Sequence, residues 1–453
     1  MRLEKTKFHF VGVGGIGMCG LAELLHNMGA IVSGSDLSEN ANTERLKEMG
    51  IKVYKGHAAA NVGDADVVVY SSAVQNSNPE IADARAKQIP LIPRAEALAE
   101  IMRIKRGIAV AGTHGKTTTT SMTSAVFMEA NLKPTIFVGG RFELIKSTAL
   151  LGDGEWMVAE ADESDGSFHK LSPEIAIITN IDSDHLDHFK TFENLQKSFY
   201  DFALRVPFYG ATIICGDDPK VHALFENFPK RALFYGFEDK NDFILQGEQG
   251  KYSLFRRDYK TGEKTKMGDF GLKVPGRHNA LNATAAILAG ITAGVDFATC
   301  AKGLQRFEGV DRRFHFKGEK KGIRIYDDYG HHPTEVRAVL QAFREKYPDK
   351  RLVVYFQPHR YSRTQHCWHD FTTCFSQADQ VLVTDIYPAG ETPIPGINSE
   401  KLVEEMKHKQ AEYFVRDTQS SDKILGRLQP GDVFITLGAG DGWKLGLEVL
   451  NKI

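Results

Sequence analysis

Residues 107–120 read GIAVAGTHGKTTTT. Residues 107–111 are short and apolar, as a buried parallel strand requires. Gly112, Thr113, His114 and Gly115 then form a tight turn, and Lys116 and Thr117 open a run with helical character. Such a turn points successive backbone N–H groups inward at a helix N-terminus, where the helix dipole also favours an anion. Lysine supplies a mobile positive charge for the terminal phosphates, and the threonine hydroxyl after it can ligate Mg²⁺. The strict phosphate-loop pattern wants a glycine where this chain has Val110, so the loop is a shortened variant. The expectation is an ATP site over Gly112, Thr113, His114, Gly115, Lys116, Thr117 and Thr118.

On either side of this loop the chain alternates strand-like and helix-like pieces. FHFVGV, AIVSGSD, IKVYKG and ADVVVYSSAV are strand candidates of the first hundred residues, with IGMCGLAELLHNMG, NTERLKEMG and PEIADARAKQ between them. A second rhythm follows the loop through EWMVAEADESD and EIAIITNIDSDH. Short strand candidates fill about 231–275, with turns at Gln249-Gly250 and Thr261-Gly262, and HNALNATAAILAGITAG reads as a helix. A third begins near Phe314 with IRIYDDYG, a helix opened by Pro333, then RLVVYFQP, QVLVTDIYPAG and DVFITLGAGDGW. Three α/β units in series are expected, because a strand–helix–strand rhythm builds doubly wound parallel sheets.

Each unit carries polar residues where a strand ends. Gly12-Val13-Gly14-Gly15-Ile16-Gly17 follows the first strand, and Asp36 closes the next, so a diphosphate can sit on a helix N-terminus with a carboxylate near a ribose. NAD and a UDP-linked group both satisfy that geometry. Glu160-Ala161-Asp162-Glu163-Ser164-Asp165 ends a strand beside the ATP loop, where carboxylates suit a hard divalent ion. Asn180, Asp182, Asp184, His185, Asp187 and His188 end the next: a second ion or a γ-phosphate contact for His185, or ordinary turn chemistry. Asn279 either caps its helix or meets a nucleotide. Arg312 and Arg313 either reach phosphates or are solvated. Arg360 and Arg363, a turn apart, suit a bidentate carboxylate clamp.

Composition narrows the class. The chain has 453 residues and a formal charge of −2, so no global field draws it to nucleic acid or to an anionic membrane. Five scattered cysteines form no CxxC pair and suit a reducing cytoplasm. The N-terminus has charges at once and no signal-like apolar core, and no run is long and apolar enough to span a membrane.

In order, GTHGKTTT, EADESD, TNIDSDHLDH, GRHNALNA, DDYGHHPTE and QPHRYSRT resemble the Mur ligase family, ATP-dependent amide-forming enzymes of peptidoglycan precursor synthesis. The likeness covers essentially the whole chain. It implies a Rossmann-like UDP-sugar domain over 1–105, a central P-loop ATPase-type α/β domain over 106–313, and a Rossmann-like C-terminal domain over 314–453 that closes over the site. It also implies joining of L-alanine to UDP-N-acetylmuramate through an acyl phosphate, with ATP and Mg²⁺ (or Mn²⁺), by a monomer or homodimer. Lys116, Glu160, His185 and Arg312 take the catalytic positions, with Thr117, Glu160 and His185 toward metal. Asn279 matches an adenine contact, Arg312 a phosphate contact and Asp328 a ribose contact. Gly14, Gly15, Ile16, Gly17, Asp36, His57, Ser71 and Ser72 would face the UDP-sugar, and Tyr329, His331, Arg360 and Arg363 the muramyl and amino-acid end. An NAD-dependent oxidoreductase would use GVGGIG with Asp36 but leaves GTHGKT, EADESD and DSDHLDH without roles.

Overall fold

The computed structural model describes residues 3–71 and 73–453; Ser72, an expected substrate contact, lies outside the described residues. Three α/β sheets are present. In the first, Lys7–Val11 is central, with Ile31–Asp36 and then Lys52–Lys55 on one side and Val67–Tyr70 and then Leu91–Pro93 on the other, all parallel. Phe8, His9, Phe10 and Val11 are all buried, which is why this strand reads as an unbroken run rather than an alternation. The chain turns back across the sheet beside this strand, and the crevice at such a switch point is where open α/β sheets bind ligands.

In the second, ten-stranded sheet Arg106–Ala111 lies between Trp156–Glu160 and Ile175–Ile178, again parallel. Beyond them stand Ala211–Cys215 and Ala232–Gly236 on one side and Thr135–Phe142 on the other, with Ser147–Leu150 antiparallel at the edge. Thr135–Phe142 and Ser147–Leu150 are not among the strands expected from sequence. TIFVGGRF holds two adjacent glycines, and its pairing is irregular between Phe137 and Phe142. The expected strands near 231–275 are Phe243–Glu248, Lys251–Arg257 and Lys264–Gly271.

The third sheet runs Ile323–Asp328, Val433–Leu437, Leu352–Phe356, Gln380–Val383 and Ala411–Tyr413 in parallel. His315–Lys320 pairs antiparallel at its edge. That edge strand, HFKGEK, is polar and bulged between Phe316 and Gly318, so no apolar alternation announces it. Pro333 is the first residue of helix Pro333–Lys346, as expected.

The chain forms two compact units. The first holds residues up to Gln246 with Ser253–Phe270 and Leu281–Phe307; the second holds Gly247–Tyr252, Gly271–Ala280 and Glu308–Ile453. One apolar core in the first unit runs from Phe10, Leu21 and Leu24 to Phe137, Met157, Phe199 and Phe202, so its two sheets share an interior. Each such side chain contributes about 1.5–3 kcal/mol by leaving water. The second unit packs Tyr326, Leu340 and Phe343 on one face of its sheet and Ile325, Tyr355 and Phe434 on the other. All five cysteines are buried thiols, and among the described residues no helix is long and apolar enough to cross a membrane.

Gly112 has φ +134°, and a methyl group there would overlap Thr179 Oγ1. Both facts demand glycine. Replacing Gly112 by alanine is expected to destabilise the first unit by about 2–4 kcal/mol. Calorimetric unfolding checks this; an unchanged transition would mean that the loop relaxes freely.

Candidate active site

Helix Lys116–Glu129 starts from Gly115, in the left-handed region at φ +81°, and no side chain caps it. Ile16–Asn27 starts from Gly15, likewise without a side-chain cap. By contrast Asn40 caps Ala41–Glu48 and Thr191 caps Phe192–Ala203. The two glycine loops therefore leave first-turn N–H groups for an external anion. Thr117 and Thr118 lie in the first turn of the loop helix, and Thr118 is buried.

The end of strand Ile175–Ile178 holds the GTHGKT loop in shape. Thr113 N–H donates to Asn180 O (3.1 Å), His114 N–H to Asn180 Oδ1 (2.9 Å), and Thr179 Oγ1 to His114 O (2.6 Å). Asp182 N–H donates to Thr113 Oγ1 (2.9 Å), and the Asp182 carboxylate lies 3.0 Å from His114 Nε2. Lys116 Nζ folds over the loop and donates to Gly112 O (2.7 Å), Thr113 O (3.2 Å) and Glu163 Oε1 (2.7 Å). Burial pulls its ammonium down, but Glu163, Asp162 and Glu160 outweigh that and hold it above the ordinary lysine value.

Glu163, rather than Glu160, is the carboxylate at the lysine. It is wholly buried. Burial pushes its carboxyl up to about 7, Lys116 pulls it back and Asp162 adds to the rise. His185 Nε2 stands 3.6 Å from Glu163 Oε1, with its backbone left-handed at φ +57°. Glu163 Oε2 is a buried oxygen without a hydrogen-bond partner. A buried acceptor beside an imidazole and close to the Thr117 helix start fits a divalent cation. Glu160 instead accepts Gly139 N–H at 2.8 Å.

Glu160 nevertheless reaches a second feature. A cavity of about 240 Å³ is lined by Gly15, Gly17, Ser71, Arg94, Glu160 and Asp162, together with Met18, Phe137 and Gly139. It joins the first sheet's glycine loop to the acidic strand end of the second. Arg94 opens helix Arg94–Arg103 and lies 3.2 Å from Asp162. Gly14 N–H donates to Asp36 Oδ2 (2.8 Å), so this carboxylate buttresses the glycine loop. Asp36 and His57 do not line the cavity, and Ile16 is largely exposed at the helix start.

In the second unit the expected residues gather around Tyr329. The Arg312 and Arg313 guanidiniums each lie 5.0 Å from its ring. Arg312, at φ +59°, donates from Nε to Asp327 Oδ2 (3.0 Å) and from Nη2 to Gly438 O (2.6 Å). Asp328 accepts Phe314 N–H and Gly330 N–H, both at 2.7 Å. Burial pushes its carboxyl up to about 6, against the pull of Arg313. The His331 ring meets Tyr329 and His359 edge-on, and Arg363 Nη1 lies 3.3 Å from His359 Nδ1. Arg360 caps the next helix at φ +71°, its Nε buried without a partner. Asn279 lies inside helix Arg277–Thr292 and donates to Pro275 O (2.6 Å), so it does not cap the helix as an acceptor.

Residues 7–106 match the family model for the Mur ligase family, catalytic domain; 110–290 match the Mur ligase middle domain, and 312–440 the Mur ligase, glutamate ligase domain. The chain belongs to the Mur ligase family. It is similar to the UDP-N-acetylmuramate–L-alanine ligase of Bdellovibrio bacteriovorus, 79% identical over the full length of both chains. The ligase of the same name from Solidesulfovibrio magneticus is 47% identical, over 100% of this chain and 99% of that one. A crystal structure of the UDP-N-acetylmuramate–alanine ligase MurC of Thermotoga maritima has a TM-score of 0.81 at 29% identity, over 98% of each chain.

For this Mur ligase, sequence reasoning quoted Glu163 only as part of an acidic run and passed over Arg94. Burial distinguishes Glu163 from its neighbours, and burial is not written in the run itself. Arg94 had a local signal, a cation directly after a short strand.

Asp328 yields a pH test. Its folded pKa lies above the ordinary aspartate value, so the folded state holds the proton more tightly. Its contribution is full below about pH 4 and is lost as pH rises toward about 6, by an order of 2 kcal/mol. Denaturant unfolding of the Mur ligase against Asp328→Asn should show that slope in the difference; a flat difference would contradict it.

Proposed function

We propose that this Mur ligase joins the amino group of L-alanine to the carboxylate of UDP-N-acetylmuramate, converting ATP to ADP and phosphate, in peptidoglycan precursor synthesis. One observation carries the reading. The uncapped GTHGKT helix start, its lysine on buried Glu163, shares Glu160 and Asp162 with the cavity that the first glycine loop lines.

A carboxylate does not condense with an amine in water without activation. Transfer of the γ-phosphoryl group to the muramyl carboxylate gives an acyl phosphate and ADP. The L-alanine amine then attacks the acyl carbon, loses a proton, and phosphate leaves with its bonding pair. Phosphoryl transfer needs positioning and charge neutralisation above all. Lys116 and the first-turn N–H groups of residues 116–118 bind the phosphates, and Lys116 exchanges Glu163 for the γ-phosphate. Arg94 exchanges Asp162 for an anionic group of the UDP-sugar. A divalent ion, Mg²⁺ or Mn²⁺, held by Thr117, Glu160, Glu163 and His185 would neutralise phosphate charge. Gly14, Gly15, Ile16, Gly17, Asp36, His57, Ser71 and Ser72 serve the UDP-sugar; Asn279, Arg312 and Asp328 serve the nucleotide. Tyr329, His331, Arg360 and Arg363 serve the amino-acid end. The functional lobes divide near residues 105 and 313, and the enzyme works in the cytoplasm as a monomer or homodimer.

Mass detection of the joined product, with ATP, UDP-N-acetylmuramate and each amino acid in turn, tests the assignment. Product with L-alanine supports it, and phosphate release indifferent to both acceptors would refute it. Lys116→Ala should cut ligation by at least about 100-fold while UDP-N-acetylmuramate still binds; equal loss of both would count against this division of labour. Arg360→Ala or Arg363→Ala should raise the KM for L-alanine by about tenfold or more and leave that for ATP nearly unchanged. If neither does, the clamp lies elsewhere.

A further inference from the structure

The joint between the first two sheets holds a buried ionic ring that the ligation chemistry does not use. Glu23 lies in helix Ile16–Asn27, Arg45 in helix Ala41–Glu48, and Ser147 at the head of the edge strand Ser147–Leu150. Arg45 Nη2 donates to Glu23 Oε1 (2.5 Å) and to Ser147 Oγ (2.6 Å), and the Ser147 hydroxyl donates to Glu23 Oε2 (3.1 Å). Glu23 and Ser147 are buried. Gly20, three residues before Glu23 and so on the same face of its helix, lies against the same strand. A methyl group there would stand 2.7 Å from Thr148 Oγ1 and 3.4 Å from both Ala149 Cβ and Phe137 Cε2. Glycine is disfavoured inside a helix, and here it lets the helix backbone come down directly on the hairpin.

Both sides of this joint lead to the cavity. Gly15, at the start of helix Ile16–Asn27, lines it with Gly17 and Met18. Phe137 and Gly139, on the strand paired with Ser147–Leu150, line it too, and Gly139 N–H holds Glu160. The helix of Arg45 is also tied to the glycine loop, through Asn42 Nδ2 donating to Gly14 O at 2.8 Å. The ring therefore closes a frame around the space between the glycine loop and the acidic strand end. Resting on the ligase reading above, we infer that Glu23, Arg45, Ser147 and Gly20 are positioning residues that fix the span across this cavity, so that the muramyl carboxylate held from the first sheet meets the γ-phosphate held from the second in line. There the bond from the γ-phosphorus to the ADP oxygen breaks, its electron pair leaving with ADP, as the carboxylate oxygen bonds to phosphorus. None of the four residues lines the cavity. Reaction between two separately held groups depends steeply on their spacing, and a misplacement of about 1 Å costs about 100-fold in rate. The joint acts on the rate of acyl phosphate formation and not on the affinity of either loop for its own ligand.

Replacing the charged pair together separates positioning from a contribution to stability alone. Glu23→Leu combined with Arg45→Leu leaves no buried charge unpaired and keeps the interface apolar, but the tie to Ser147 is gone. Its calorimetric Tm should lie within about 4 °C of wild type or above it. At saturating substrates its kcat for ligation should fall at least about tenfold. Titration calorimetry with UDP-N-acetylmuramate and, separately, with a non-hydrolysable ATP analogue should give Kd values within about twofold of wild type. Ser147→Ala, which removes only the tie across the joint, should lower kcat about threefold or more at unchanged Kd, whereas Ser147→Thr keeps the hydroxyl and should stay near wild type. An unchanged kcat in the folded double variant, or a fall matched by an equal loss of affinity for either ligand, would overturn the inference. Should the double variant not fold, the Ser147 pair decides: equal kcat in Ser147→Ala and Ser147→Thr refutes the joint. Product from wild type and variants at equal rates removes this inference alone; no product from the wild type removes the ligase reading with it.

Discussion

A lysine ammonium and a glutamate carboxylate meet 2.7 Å apart at the head of the GTHGKT loop, with Glu163 cut off from water. Each charge alone would be costly to bury, and together they are tolerated because each satisfies the other. The pair also keeps the loop in one shape, since Lys116 ties Gly112 O and Thr113 O to the same point. On the function proposed above, a triphosphate entering this loop would meet a lysine that is already positioned and needs only a change of partner. The segment after Ile175–Ile178 secures the other side of the turn through Thr179, Asn180 and Asp182.

The same logic organises the unit at a larger scale. Helices with structural work alone, such as Ala41–Glu48 and Phe192–Ala203, satisfy their first N–H groups with Asn40 and Thr191. The two helices behind glycine loops have no such cap, and Asp36 bonds to Gly14 in the loop without covering the helix start. Between the two loops the cavity wall alternates Arg94 with Glu160 and Asp162. Charges of both signs face one another there, as the proposed placing of an anionic sugar nucleotide next to a phosphate donor would require.

Much of this was legible in the amino-acid order. Strands that bury both faces announced themselves as apolar runs, and the glycines at 112 and 115 marked the loop because backbone geometry leaves no alternative there. The antiparallel edges at Ser147–Leu150 and His315–Lys320 were not legible, because the first is four residues long and built mostly of small or hydroxylic side chains, and the second is polar and largely solvated. Within the site, residue type was readable but partner was not. EADESD offers four carboxylates, and only folding decides that Glu163 goes inward to Lys116 while Glu160 takes Gly139 N–H. Glu80 is the extreme case: an acid in the first turn of a short helix, buried only because Ser35, His57 and Asn61 arrive from elsewhere in the chain to meet it.

The shared interior of the first unit constrains how this enzyme can be taken apart. Phe10, Leu21 and Leu24 lie in the same apolar cluster as Phe137 and Met157. An excised fragment ending near residue 105 would carry an uncovered greasy flank and would be prone to stick to itself rather than stay dissolved. The glycine loop of the first hundred residues is in that sense not a detachable module, and its transplantation into another scaffold would have to bring the neighbouring helix and strands along.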